Sequence, residues 1–165
     1  MTIIIKIIII LLFLFFLTRA CSVSHRTKKG RMYKSRDRKT AEMIELLRDI
    51  SIHLSYNINE KDGIIMRKKL QNTTFKELIY KDPDILGWNY DKGREIGIKM
   101  YRTPTEMYSE EEIIHTLFHE LAHSITKEKQ HHPKWKVKDD YLQSFAPKYV
   151  EILKLKISNI LKQDE

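Results

Sequence analysis

The chain has 165 residues, 42% of them hydrophobic, and a net charge of +8, which allows one domain with an ordinary core. A single cysteine, Cys21, excludes an internal disulfide framework and any cysteine-built zinc finger. The charge is unevenly placed: residues 1–39 hold ten Lys/Arg and one acid, Asp37, whereas residues 40–165 hold 20 Lys/Arg against 21 Asp/Glu. The larger part therefore has a net charge near −1 and is not a basic protein, so its charge gives no support to nucleic acid as a partner.

At the N-terminus, Ile7 to Leu17 is an unbroken apolar run with Lys6 just before it. It is shorter than the roughly 20 residues of a membrane span and suits the hydrophobic region of a signal peptide. Thr18 and Ala20 are small residues at −3 and −1 of a cleavage before Cys21. Counted from Ile3, with Lys6 reaching back to the interface, the segment can also anchor the chain in a locally thinned bilayer. It has no polar face to show to water, so a buried core helix is excluded. Residues 1–18 read as a membrane anchor or signal segment. Residues 19–39 carry nine Lys/Arg and almost no apolar residues, and read as a disordered basic juxtamembrane linker. Such a linker is a solvated spacer or a contact for anionic lipid or nucleic acid. Basic residues after the apolar run predict a single-pass membrane protein with its C-terminal domain in the cytoplasm. Signal cleavage and secretion is the alternative.

Residues 40–165 form the remaining domain. Thr40 is a helix cap, and Ala41, Ile44, Leu47, Ile50 and Leu54 follow at helical spacing. Asp62-Gly63 signals a turn, with short apolar stretches at Ile64–Met66 and Phe75–Tyr80. Asp82-Pro83-Asp84 and Asp91-Lys92-Gly93 are further turn signals. From Glu95 to Tyr101, Ile96, Ile98 and Met100 alternate with Glu95, Gly97 and Lys99, the pattern of a half-buried strand. Ser109 and Glu112 form a capping box before an apolar run that predicts a helix to about Ile125. Thr126 to His132 reads as a polar loop. Pro133 and Pro147 suit the first turns of two further helices, the last with a broad apolar side from Tyr149 to Leu161.

The chemistry lies in His119-Glu120-Leu121-Ala122-His123. Histidines four apart stand one turn apart on one helix face, where both imidazoles can bind one tetrahedral zinc ion. Glu120 is rotated about 100° around the axis, so it addresses a water on the metal rather than the metal. There it acts as general base toward a carbonyl under attack. Ile113, Ile114, Leu117, Phe118, Leu121, Ala122 and Ile125 make this helix strongly apolar. Burying three polar side chains on such a helix is unfavourable without a purpose. The site needs a third protein ligand; His131 and His132 are the candidates. His115 lies one turn before His119 but is awkwardly placed for the same ion.

Three stretches resemble the WLM metallopeptidase family, relatives of the SprT/Spartan DNA–protein crosslink proteases. Leu86-Gly87-Trp88-Asn89-Tyr90-Asp91-Lys92-Gly93-Arg94-Glu95-Ile96 is similar to that family's L-G-x-N-x-x-x-G-x-x-I segment. His119–His123 matches its H-E-L-x-H, and His131 with Trp135 its H-x-x-x-[FW] element. The resemblance spans residues 41 to 145. It implies zinc, peptide-bond hydrolysis in protein or peptide substrates, and His131 as third ligand, because His131 keeps the four-residue spacing to Trp135. Residues Ser124–Gln130 are two longer than the family's turn and lack its Gly-Pro. The fold this implies is α+β and zincin-like: a minimal metallopeptidase domain with a small sheet, the HExxH helix and C-terminal helices. The Glu95–Tyr101 strand would line the cleft and hold an extended peptide along its edge. Two rivals stand beside this expectation: a membrane-associated, zinc-stabilised interaction module without catalysis, and a crosslink protease using residues 19–39 as its nucleic-acid arm.

Overall fold

The computed structural model describes residues 23–79, 82, 84–127 and 131–162. The apolar segment at 1–18 lies outside them. Among the described residues no helix is long and apolar enough to cross a membrane.

Residues 23–39 are not the disordered linker that their composition suggests. Strands β1 (Val23–Arg26) and β2 (Met32–Ser35) pair antiparallel, Val23 opposite Ser35 and Arg26 opposite Met32. The hairpin buries Tyr33 and Ser35. Its basic residues meet an acidic face of the first helix. Lys28 N donates to Glu42 Oε1 at 2.7 Å, Arg31 Nη1 lies 3.0 Å from Glu45 Oε1, and Lys29 pairs with Asp49. Two of the hairpin's basic side chains are thus paired with α1 at the surface, which composition alone cannot reveal.

Helix α1 (Arg38–Asn57) starts two residues before Thr40, because Asp37 is the cap. Its carboxylate accepts from Thr40 N at 2.7 Å and from Thr40 Oγ1 at 2.8 Å. The apolar positions Ala41, Ile44, Leu47, Ile50 and Leu54 are all buried, each aliphatic side chain contributing on the order of 1.5–3 kcal/mol.

Asp62-Gly63 is not a turn. It lies in the first half of α2 (Glu60–Leu70), capped by Asn59, whose side chain accepts from Asp62 N. Gly63 serves close packing: a Cβ there would collide with the Ser55 carbonyl near the end of α1.

Strands β3 (Thr74–Glu77), β4 (Gly87–Tyr90) and β5 (Glu95–Ile98) form a sheet in the order β3-β5-β4. The strand expected from alternation is present as β5, but it does not form the edge of a cleft. It is central, parallel to β3 and antiparallel to β4, with both ladders filled. The edge beside the next helix is β4. Asp91, Lys92 and Gly93, all with positive φ, make the β4–β5 turn.

Helix α3 (Glu110–Ile125) begins at the Ser109–Glu112 capping box. Helices α4 (Pro133–Gln143) and α5 (Ala146–Leu161) each carry proline in the first turn. Tyr149, Leu153 and Ile157 of α5 and Leu117, Phe118 and Leu121 of α3 belong to one core with α1 and the sheet. Among the described residues the architecture is α+β: a hairpin, a three-stranded sheet and five helices.

Candidate metal centre

Helix α3 sends its apolar face into the core and leaves His119 and His123 half-buried at the cleft. Their ring centroids are 5.1 Å apart. His131, at the start of the α4 segment, completes a nearly equilateral triangle, 5.2 Å from His119 and 5.3 Å from His123. One ring nitrogen from each lies within 4.8 Å of the others, and the Nε2 atoms of His119 and His131 are 3.3 Å apart. His132 does not join them. It is the N-cap of α4, its Nδ1 accepting from Lys134 N at 3.3 Å.

Trp135 forms the floor of this triangle. It is almost fully buried, with its ring centroid 4.5–4.8 Å from those of all three histidines and stacked on His123 at an interplanar angle of 20°. Pro133 at the first turn of α4 fixes the approach that places His131 and Trp135 against α3.

Glu120 lies to one side of the triangle, 6% exposed. Burial pushes its carboxyl up to about 7, and the Asp139 charge adds to the effect. Burial pulls His123 down to about 4, with help from His119 and His131. It also lowers His119, against an opposing pull from Asp139. The His119 and His123 imidazoles are therefore held neutral, with lone pairs available.

The edge strand β4 is fastened to α3 beside Glu120. Asn89 Nδ2 donates to the Glu120 carbonyl at 2.5 Å and to Ser124 Oγ at 2.8 Å, while Asn89 Oδ1 accepts from Gly93 N at 2.8 Å. Gly87 faces the Glu120 side chain so closely that a Cβ would run into Oε1. A cavity of about 550 Å³ opens here, lined by Gly87, Trp88, Asn89, His119, Glu120 and His131 among others. A second, of about 440 Å³, continues past Glu120 toward Leu86, His115 and Gln143.

Asp139 was missed in the sequence. It is a buried carboxylate whose Oδ2 stands 3.9 Å from His119 Nδ1. The signal was present: Trp135, Asp139 and Leu142, the buried residues of α4, are spaced four and three apart and share one face. His115 does not approach the triangle; its Nδ1 meets Gln143 Oε1 at 2.6 Å.

Three converging imidazoles beside a buried carboxylate and a sheet edge form a group that could hold a metal ion. The WLM domain family model matches residues 30–152, and the chain belongs to that family, whose members are zinc metallopeptidases. Among solved structures it is similar to Wss1 from Saccharomyces cerevisiae, at 25% identity over 52% of this chain and 68% of that one, with a TM-score of 0.43. A Wss1 mutant from the same organism is 23% identical over 59% of this chain and 79% of that one, also at 0.43. No curated protein matches.

Proposed function

We propose that this protein is a zinc-dependent metallopeptidase that hydrolyses peptide bonds in protein substrates. The observation that carries the proposal is the convergence of His119, His123 and His131 on one point, with Glu120 beside it but outside the ligand set. The donor set fits zinc: three imidazole nitrogens leave one tetrahedral position open. His119, His123 and His131 would hold the ion, with Trp135 bracing all three rings. When bound, zinc supplies Lewis acidity toward the scissile carbonyl and makes an attacking water more acidic.

The chain's own residues do the rest. Glu120 accepts the proton of the attacking water and passes it to the leaving amine. A carboxyl raised to about 7 is matched to both transfers near neutral pH. The open edge of β4 holds an extended peptide across the cleft by main-chain hydrogen bonds, and Asn89 fixes how far that edge stands from Glu120. Trp88, which lines the cavity, and Tyr90 are both exposed on this strand and can meet substrate side chains.

The test is cleavage of a peptide library by the full chain and by Glu120→Gln. The wild type should cut. The variant should keep its metal and lose at least a hundredfold in rate, the scale of one acid–base group. An active Glu120→Gln would remove the proposed base. Zinc bound by a chain that cuts no peptide would favour a zinc-stabilised interaction module instead.

A further inference from the structure

Behind the histidine triangle runs a chain of polar contacts that the hydrolytic mechanism does not use. Asp139 is 6% exposed on the inner face of α4. Its Oδ2 lies 3.9 Å from His119 Nδ1 and 3.6 Å from Lys136 Nζ, and its Oδ1 accepts from Gln143 Nε2 at 3.1 Å. Gln143 is itself held, because its Nε2 also donates to the His115 carbonyl at 3.0 Å and its Oε1 meets His115 Nδ1 at 2.6 Å. The carboxylate is thus fixed from its far side by α3 and by its own helix.

The two nitrogens of His119 have different neighbours. Nε2 faces His131 Nε2 at 3.3 Å, inside the triangle. Nδ1 faces Asp139 on the opposite side. A neutral imidazole carries one proton, and the partner of one nitrogen decides which nitrogen keeps a lone pair. A buried carboxylate needs polar or charged partners for both oxygens; Gln143 supplies one for Oδ1. Lys136 is only a partial answer, since it sits at the surface and pairs more closely with Asp140, at 2.6 Å.

We infer that Asp139 is a positioning residue for His119: it draws the imidazole proton to Nδ1 and so presents Nε2 as the lone pair inside the triangle, with Gln143 and His115 holding the carboxylate in place. The inference rests on the zinc reading for its purpose, but not for its existence, because the tautomer is a property of the metal-free chain. The contact is electrostatic rather than a hydrogen bond at 3.9 Å. The Asp139 side of the contact is buried, which limits its screening by water.

The experiment has two arms, both on the full chain. The first measures zinc affinity by competition with a chromophoric chelator for wild type, Asp139→Asn, Asp139→Ala and Gln143→Ala. Both Asp139 variants should bind zinc about 10- to 100-fold more weakly, the range for loss of a carboxylate behind a ligating histidine. Gln143→Ala should fall between them and wild type. The second arm records long-range proton–nitrogen spectra of the histidine rings without metal, His119 being assigned by its loss in His119→Gln. Wild type should show His119 protonated at Nδ1, and Asp139→Asn should shift it toward the Nε2-protonated form. Zinc affinities within threefold of wild type, together with an unchanged His119 tautomer in folded Asp139→Asn, would overturn the inference and leave Asp139 an anchor for α4. A wild-type chain that takes up no zinc would instead overturn the metal reading, and the tautomer arm would still decide what Asp139 does to His119.

Discussion

Gly87→Ala is a one-methyl change that should disable the site while leaving the three histidines in place. A methyl on the present backbone would sit 2.7 Å from Thr116 Cγ2 and 2.9 Å from Glu120 Cγ, besides meeting Glu120 Oε1. Carbon atoms in contact stand about 3.5–4.0 Å apart, so close to 1 Å of separation has to be found. Thr116 and Glu120 are on α3, whose apolar side is locked in the core. Strand β4 cannot simply retreat, because Asn89 ties it to the Glu120 carbonyl and to Ser124. The Glu120 side chain is the part that can yield. Forcing a methyl into packed surroundings typically costs about 1–3 kcal/mol, and a misplacement of roughly 1 Å at a reacting group costs on the order of 100-fold in rate. Peptide cleavage, zinc content and urea unfolding, measured together, separate these effects. The variant should keep its zinc, lose about 100-fold in kcat and unfold at lower urea. Wild-type cleavage with unchanged stability would refute the close approach of β4 to Glu120.

Other consequences are reached by different measurements. Burial pushes Glu77 up to about 7, with the Arg36 amide and charge opposing it, so its ionisation opposes folding and stability should rise as pH falls from above 7 toward 4.5. Glu77→Gln removes that dependence and should be more stable than wild type at pH 8 by up to roughly 3 kcal/mol, at about 1.4 kcal/mol per pH unit. The two proteins should agree below pH 4.5, and a variant less stable than wild type at pH 8 would show that the carboxylate is favourable there. On topology, a C-terminal reporter should lie on the cytoplasmic side with the N-terminus intact, since nine Lys/Arg follow the apolar segment. A mature chain beginning at Cys21 outside the membrane would refute that arrangement.

What was legible in the sequence was what one element can encode alone. The capping box at Ser109 and Glu112, the apolar run after it and two histidines at helical spacing describe α3 nearly to the residue. Strand β5 was visible as alternation, but its central place was not, because pairing partners lie outside the strand itself. Gly63 looked like a turn residue, yet its role is to let α2 approach the Ser55 carbonyl, a tertiary reason with no local trace. The hairpin at 23–35 was hidden by its own composition: its lysines and arginines look solvated until the acidic face of α1 is placed beneath them. At the site, Glu120 and the two α3 histidines could be named from spacing. His131 was set apart from His132 by its four-residue spacing to Trp135, and the start of α4 supplies the physical reason, since His132 is the cap and His131 stands at the triangle. Asp139 and Gln143 pair at a four-residue spacing on α4, but their approach to His119 and His115, like that of Asn89 to Glu120, crosses element boundaries and leaves no local pattern.

The central claim is that His119, His123 and His131 hold one zinc ion, and metal content of the purified full chain tests it most directly. Wild type, Glu120→Gln and His132→Ala should each retain about one zinc per chain. His119→Ala and His123→Ala should retain none, and His131→Ala should bind at least tenfold more weakly in a chelator competition. Zinc lost from His132→Ala but kept by His131→Ala, or a wild-type chain that binds none, would contradict the account.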